Sequence, residues 1–168
     1  MRFITFESGG KPAVGVRLGD EVVDLSKADA SLPDSVLGLI EAGDGALKAA
    51  QKAAEGASER LAFDRLSFCP VIPRPPKIIC IGLNYAAHAA EGGHDRPTFP
   101  SFFMRGATSL TGHKKPIVRP KVSETLDYEA ELVAVIGKRS ERHTPRDKTL
   151  DLVAGYSMFN EASVREWQ

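Results

Sequence analysis

The chain is short of the features that mark export, membrane insertion or nucleic-acid binding. Only two cysteines occur in 168 residues, Cys69 and Cys80, and their separation does not match a metal-binding pair. With no export signal, both read as reduced thiols that pack as small hydrophobes. The N-terminus, Met1-Arg2-Phe3-Ile4, lacks the long apolar core of a signal peptide. No apolar run approaches the length needed to span a bilayer. Neither sign of charge is in excess, with 22 Lys+Arg against 22 Asp+Glu, so nothing recommends nucleic acid or an anionic membrane as partner. These absences predict a soluble, cytoplasmic protein. What is present, 42% hydrophobic and 26% charged residues, is ordinary globular composition.

The order of local signals predicts an α+β, β-rich fold in two parts. Arg2–Phe6, Pro12–Leu18 and Glu21–Leu25 are β-prone runs with Gly9-Gly10 and Gly19-Asp20 between them, a meander. Val36-Leu37 and Leu39-Ile40 form a short apolar patch stopped by Gly43, and Ala46–Glu55 is an Ala-rich helix stopped by Gly56. Leu66-Ser67-Phe68 reads as a returning strand. Residues 70–76 carry four prolines, which neither a helix nor a central strand accepts. The expected division is a small N-terminal domain over 1–69, an extended linker over 70–76 and a second domain over 77–168. In that second part Lys77–Ile81 reads as a buried strand and Asn84–Glu91 as a short helix ended by Gly92-Gly93. His94–Pro100 is loop, with weaker strands at Ser101–Met104 and Ile117–Val118. Leu126–Gly137 and Val153–Phe159 are the stronger strands, and Ser163–Gln168 begins a helix.

Two clusters carry chemistry. On a strand, Glu129 and Glu131 fall on one face with Asp127, Val133 and Val135. Neighbouring carboxylates raise each other's pKa, and a hard divalent cation relieves the repulsion. The same spacing also suits a solvated strand face. On the short helix His88 and Glu91 share a face, where a carboxylate beside an imidazole could strip a proton from water. An incidental pair on an exposed helix is the other reading. Gly92-Gly93 would hinge that segment as a lid.

Four ordered blocks resemble the fumarylacetoacetate hydrolase family. They are Lys77-Ile78-Ile79-Cys80-Ile81-Gly82-Leu83-Asn84-Tyr85 with His88; Phe102-Phe103-Met104-Arg105 with Ser109-Leu110; Leu126-Asp127-Tyr128-Glu129-Ala130-Glu131-Leu132; and Gly155-Tyr156-Ser157-Met158-Phe159-Asn160-Glu161 with Ser163, Arg165 and Gln168. The resemblance implies a small N-terminal β/α domain followed by part of the family's mixed β-roll catalytic domain, without its later segments. It implies that Glu129 and Glu131 bind Mg²⁺ or Mn²⁺, with Ca²⁺ as a further candidate. The third ligand, usually an Asp after an Asn, falls on Glu161, one methylene longer. The lid histidine falls on His88, the base that activates water. Glu91 lies where some members keep a lid acid; Asp95 is the other loop acid, and Phe99 stands near that acid's more usual place. Arg105 occupies a position often held by Lys near the substrate, where a guanidinium grips a carboxylate bidentately. Arg165, Gln168 and Tyr85 match substrate-contacting positions, although Arg165 also suits a surface pair with Glu161 or Glu166.

The activity the resemblance implies is metal-dependent hydrolysis of a C–C bond in a small 2-oxo or dioxo acid, of fumarylacetoacetate or acylpyruvate type, as in aromatic compound catabolism. Oxaloacetate-type decarboxylation and 2-hydroxymuconate-type isomerisation share its enolate and stand as alternatives. So does a truncated, non-catalytic member that only folds or associates. The resemblance implies a homodimer, since members of the family usually pair through this domain; a half-built roll would expose strand edges and apolar faces, as a fragment of a longer chain or as a surface met by another subunit.

Overall fold

The computed structural model describes residues 1–167. The chain begins with a meander, β1 (Phe3–Ser8), β2 (Lys11–Leu18) and β3 (Glu21–Asp24), paired antiparallel as expected. Asp24 ends β3 and caps the next element, accepting from Ser26 N at 3.0 Å, so that Leu25 opens a short helix α1 (Leu25–Ala28) instead of closing a strand. Helices α2 (Val36–Ala42) and α3 (Asp44–Gly56) follow. The only residue between them, Gly43, has φ +81°, a left-handed turn that other side chains resist. Val14, Val16 and Val23 of the sheet bury against Leu25, Val36, Leu39, Ala50 and Ala54 of the helices, which is the main core.

The other face of this sheet carries Phe6 and Val22 and is covered by the chain after α3. A two-residue strand β4 (Leu61–Ala62), absent from the sequence reading, pairs with β3. The expected strand at 66–68 is reduced to one bridge, Phe6 to Phe68, flanked by Glu7 N to Ser67 O and Cys69 N to Thr5 O. The proline run enters no strand or helix, and it does not hang free. Thr5 Oγ1 donates to Val71 O at 2.6 Å, and Ile72 packs against the core. A Cβ at Gly112 would sit 2.0 Å from Phe68 O, so that glycine lets the later chain approach, and His113 lies edge-on to Phe68.

Beyond residue 76 the strands form two-stranded ribbons: β5 (Ile79–Gly82) with β6 (Ser101–Met104), β7 (Leu126–Asp127) with β10 (Ser163–Val164), and β8 (Ala130–Ile136) with β9 (Val153–Asn160). Helix α4 (Ala86–Glu91) lies between β5 and β6. The mixed α+β, strand-rich architecture is as expected, but several details differ. Ile79 and Ile81 are exposed, so β5 is not a buried strand. Ile117–Val118 forms no strand. Residues 163–167 form β10 and a 3₁₀ turn (Arg165–Trp167) instead of opening an α-helix. Among the described residues no helix is long and apolar enough to cross a membrane.

Candidate metal centre

The run Leu126–Gly137 is not one strand. It breaks at Tyr128-Glu129, because two side chains replace the ladder there. Asp127 Oδ1 accepts from Tyr128 N at 2.8 Å, and Asn160 Oδ1 accepts from Glu129 N at 3.1 Å. Pairing resumes with Ala130 opposite Asn160 and Glu131 opposite Phe159. One step outward, Glu161 N donates to Glu129 O at 2.9 Å. The register therefore sets Glu129 and Glu161 across from each other at the ribbon's end, with Glu131 two residues further along the face of Glu129.

Two arginines serve two of these carboxylates. Arg105, just past β6, donates from Nε to Glu161 Oε1 at 3.1 Å and from Nη2 to Ala162 O at 3.1 Å. Glu161 is buried. Arg165 donates from Nε and Nη2 to Asp127 Oδ2, at 3.1 and 2.9 Å, and holds Asp127 below the usual carboxylate range. Its Nη1 stands 2.7 Å from Glu129 Oε1, an ion pair. That Oε1 is shielded from solvent yet receives no aligned hydrogen bond. Arg165 thus serves Asp127 and Glu129.

Glu131 stands differently. Burial, then the charges of Glu129 and Glu161, push its pKa up. The Tyr85 hydroxyl, bonded to Glu131, and the nearby His88 act the other way. Tyr85 immediately precedes α4, and its hydroxyl also accepts from Leu132 N at 3.4 Å, so it joins α4 to β8. Cys80, on β5, is beside Glu161, and burial with that carboxylate pushes its thiol up to about 12.

The structure thus gathers Glu129, Glu131, Glu161, Arg105, Arg165, Tyr85 and His88. Glu91 and Asp95 are exposed, and among the described residues no hydrogen bond or ion pair joins Glu91 to His88. Gln168 lies outside the described residues. The sequence reading gave no role to Asn160, Asp127 or Cys80. Asp127 left a signal as a carboxylate on the face of Glu129 and Glu131, and Asn160 as the residue before Glu161.

Among the described residues no three His, Cys, Asp or Glu side chains converge closely enough to hold an ion as they stand. The donor chemistry nonetheless fits a hard divalent cation. Asp127, Glu129, Glu131 and Glu161 face two guanidiniums, which leaves two negative charges uncompensated. All the donors are oxygens, and Glu129 Oε1 is shielded from solvent with only the Arg165 ion pair against it among the described residues.

The family described as fumarylacetoacetate (FAA) hydrolase, C-terminal, matches residues 77–168. The mitochondrial oxaloacetate tautomerase fahd2 of Xenopus laevis is 36% identical over all of this chain and 54% of its own length. Maleylpyruvate hydrolase from Sphingobium sp. SYK-6, solved with manganese(II) and pyruvate, superposes with a TM-score of 0.79 at 29% identity, over 98% of this chain and 60% of that one. Fumarylacetoacetate hydrolase from Exiguobacterium antarcticum gives 0.74 at 28% identity, over 99% and 57%. The chain spans about half the length of the curated relatives it matches.

Proposed function

Because the chain belongs to the fumarylacetoacetate hydrolase family, we propose that it contributes a divalent-cation centre that moves a proton on a small 2-oxo acid, with oxaloacetate keto–enol tautomerisation as its reaction. The observation that carries this reading is Glu131, a half-buried carboxylate with raised pKa between Glu129 and Glu161, beside Tyr85 and His88. Glu129, Glu131 and Glu161 would hold Mg²⁺ or Mn²⁺. When bound, the cation supplies a Lewis acid that lowers the cost of negative charge on the enolate oxygen. His88 takes the proton from the carbon beside the keto group and returns it to the enolate oxygen, so no atom is gained or lost. Arg165 orients a substrate carboxylate, with Tyr85 closing the same side.

C–C hydrolysis of an acylpyruvate or maleylpyruvate is the second reading, favoured by the named hydrolase neighbour. It asks for more, since His88 would need an acid partner to activate water, and Glu91 is not joined to it. The tautomerases it resembles are named mitochondrial. The test adds oxaloacetate enol to the Mn²⁺-loaded chain and follows its ultraviolet absorbance, with His88→Ala alongside. Enol decay accelerated by the chain and reduced roughly 100-fold by His88→Ala is expected. Cleavage of acylpyruvate without tautomerisation would move the assignment to hydrolysis. Neither activity, in a folded chain that binds Mn²⁺, would make this a non-catalytic member.

A further inference from the structure

Arg105 determines how Glu161 can be used. Its backbone N–H donates to Ile78 O at 3.2 Å, continuing the β5–β6 pairing by one residue. Its guanidinium is then fixed on three sides: Glu161 Oε1, Ala162 O and the ring of Phe159, 5.7 Å from the guanidinium carbon. The side chains of Arg105 and Glu161 are 21% and 8% exposed, so water does little to loosen the pair. With Oε1 held by Arg105, only Oε2 of Glu161 is free of a guanidinium, and the Cys80 thiol also hydrogen-bonds to this carboxylate. Glu129 is placed alike, its Oε1 facing Arg165. Only Glu131 has no guanidinium against it among the described residues. Calcium prefers many oxygens and readily takes both atoms of a carboxylate, whereas magnesium and manganese accept single carboxylate oxygens and complete a six-coordinate shell with water.

We propose that Arg105 is a specificity-determining residue of this centre: by holding Oε1 of Glu161 it confines that carboxylate to single-oxygen coordination and biases the site toward Mg²⁺ or Mn²⁺ and against Ca²⁺. The inference rests on the reading of Glu129, Glu131 and Glu161 as the cation-binding carboxylates. It gives Arg105 a positioning role, acting on the cation through Glu161.

The experiment titrates Mn²⁺ and Ca²⁺ separately, by calorimetry, into the full chain and into Arg105→Met, which keeps an apolar stem over Phe159 but donates nothing. Wild type should prefer Mn²⁺, and the substitution should narrow that preference by about tenfold, chiefly through tighter Ca²⁺ binding. An unchanged ratio in a folded variant overturns the proposal. Water-proton relaxation by Mn²⁺ bound to the wild-type chain supplies a reading that does not depend on the variant folding. Several exchanging waters are expected on the ion, and an ion with almost none overturns single-oxygen coordination. If wild type binds neither cation, it is the metal reading that fails, and this inference fails with it.

Discussion

At the scale of single residues, the asymmetry among three glutamates has a measurable consequence. Arg165 compensates Glu129 and Arg105 compensates Glu161, while among the described residues Glu131 has the Tyr85 hydroxyl and the charge of His88 in place of a guanidinium. Its pKa is raised above 4.5, so folding favours the protonated form. The stability this gives is fully present below the ordinary glutamate value and is lost as pH rises through the folded value. At neutral pH the charged Glu131 therefore works against the metal-free fold. Glu131→Gln should unfold at higher temperature than wild type at pH 7, with the difference vanishing below about pH 4.5. Added Mn²⁺ should reverse the order, because only wild type gains stability by binding it. Thermal melts at both pH values, with and without Mn²⁺, check both signs. A Glu131→Gln variant less stable than wild type at pH 7 without metal would contradict the raised pKa.

At the scale of elements, the break between β7 and β8 is what aims Glu129. A continuous strand would satisfy Glu129 N from a neighbouring backbone; here the side chain of Asn160 does so. Asn160→Ala should cost about 1 kcal/mol of stability, the usual worth of one such bond. It should also weaken Mn²⁺ binding several-fold by letting the Glu129 backbone move, while Asn160→Asp, which keeps an acceptor oxygen, should recover most of both. Chemical denaturation and calorimetry on the two variants separate these effects. The break also shows where sequence reading runs out. Alternation correctly put Glu129, Glu131, Val133 and Val135 on one face, because period-two geometry depends only on local backbone. It could not foresee that Asn160, 31 residues away, would replace the ladder. The helix α2 was legible from its short apolar patch and α3 from its Ala-rich run, each with a glycine at its end, whereas β4 was not, since two residues carry no period. Arg105 was legible as a cation near the site, but its partner was not, because a pair separated by 56 residues is made by topology alone.

At the scale of the whole molecule, burial is uneven. The fully buried large side chains, Phe6, Leu25, Leu39, Val14, Val16, Val22 and Val23, all belong to the first sheet and its helices. The later ribbons turn apolar faces outward. Leu132 stands opposite Met158 on β8–β9, with Ile136 and Tyr156 beside them, and Met158 is 72% exposed. Ile79 stands opposite Met104 and Ile81 opposite Phe102 on β5–β6, with Met104 65% exposed. Contiguous apolar patches on isolated ribbons of this kind are uncommon on monomers, and two-stranded ribbons are marginal without a covering layer. The purified 168-residue chain should therefore sediment as a species heavier than its 18.1 kDa and enhance the fluorescence of a hydrophobic dye. Leu132→Glu with Met158→Lys places opposite charges across one cross-strand pair, which the ribbon tolerates but an apolar interface does not. That double variant should reduce both signals while the unfolding midpoint reported by the N-terminal core, which it does not touch, stays in place. A wild-type chain that sediments as a monomer and leaves the dye dark would mean that the ribbons repack their faces against one another in solution, and the carboxylate end of β8–β9 would have to be rebuilt with them.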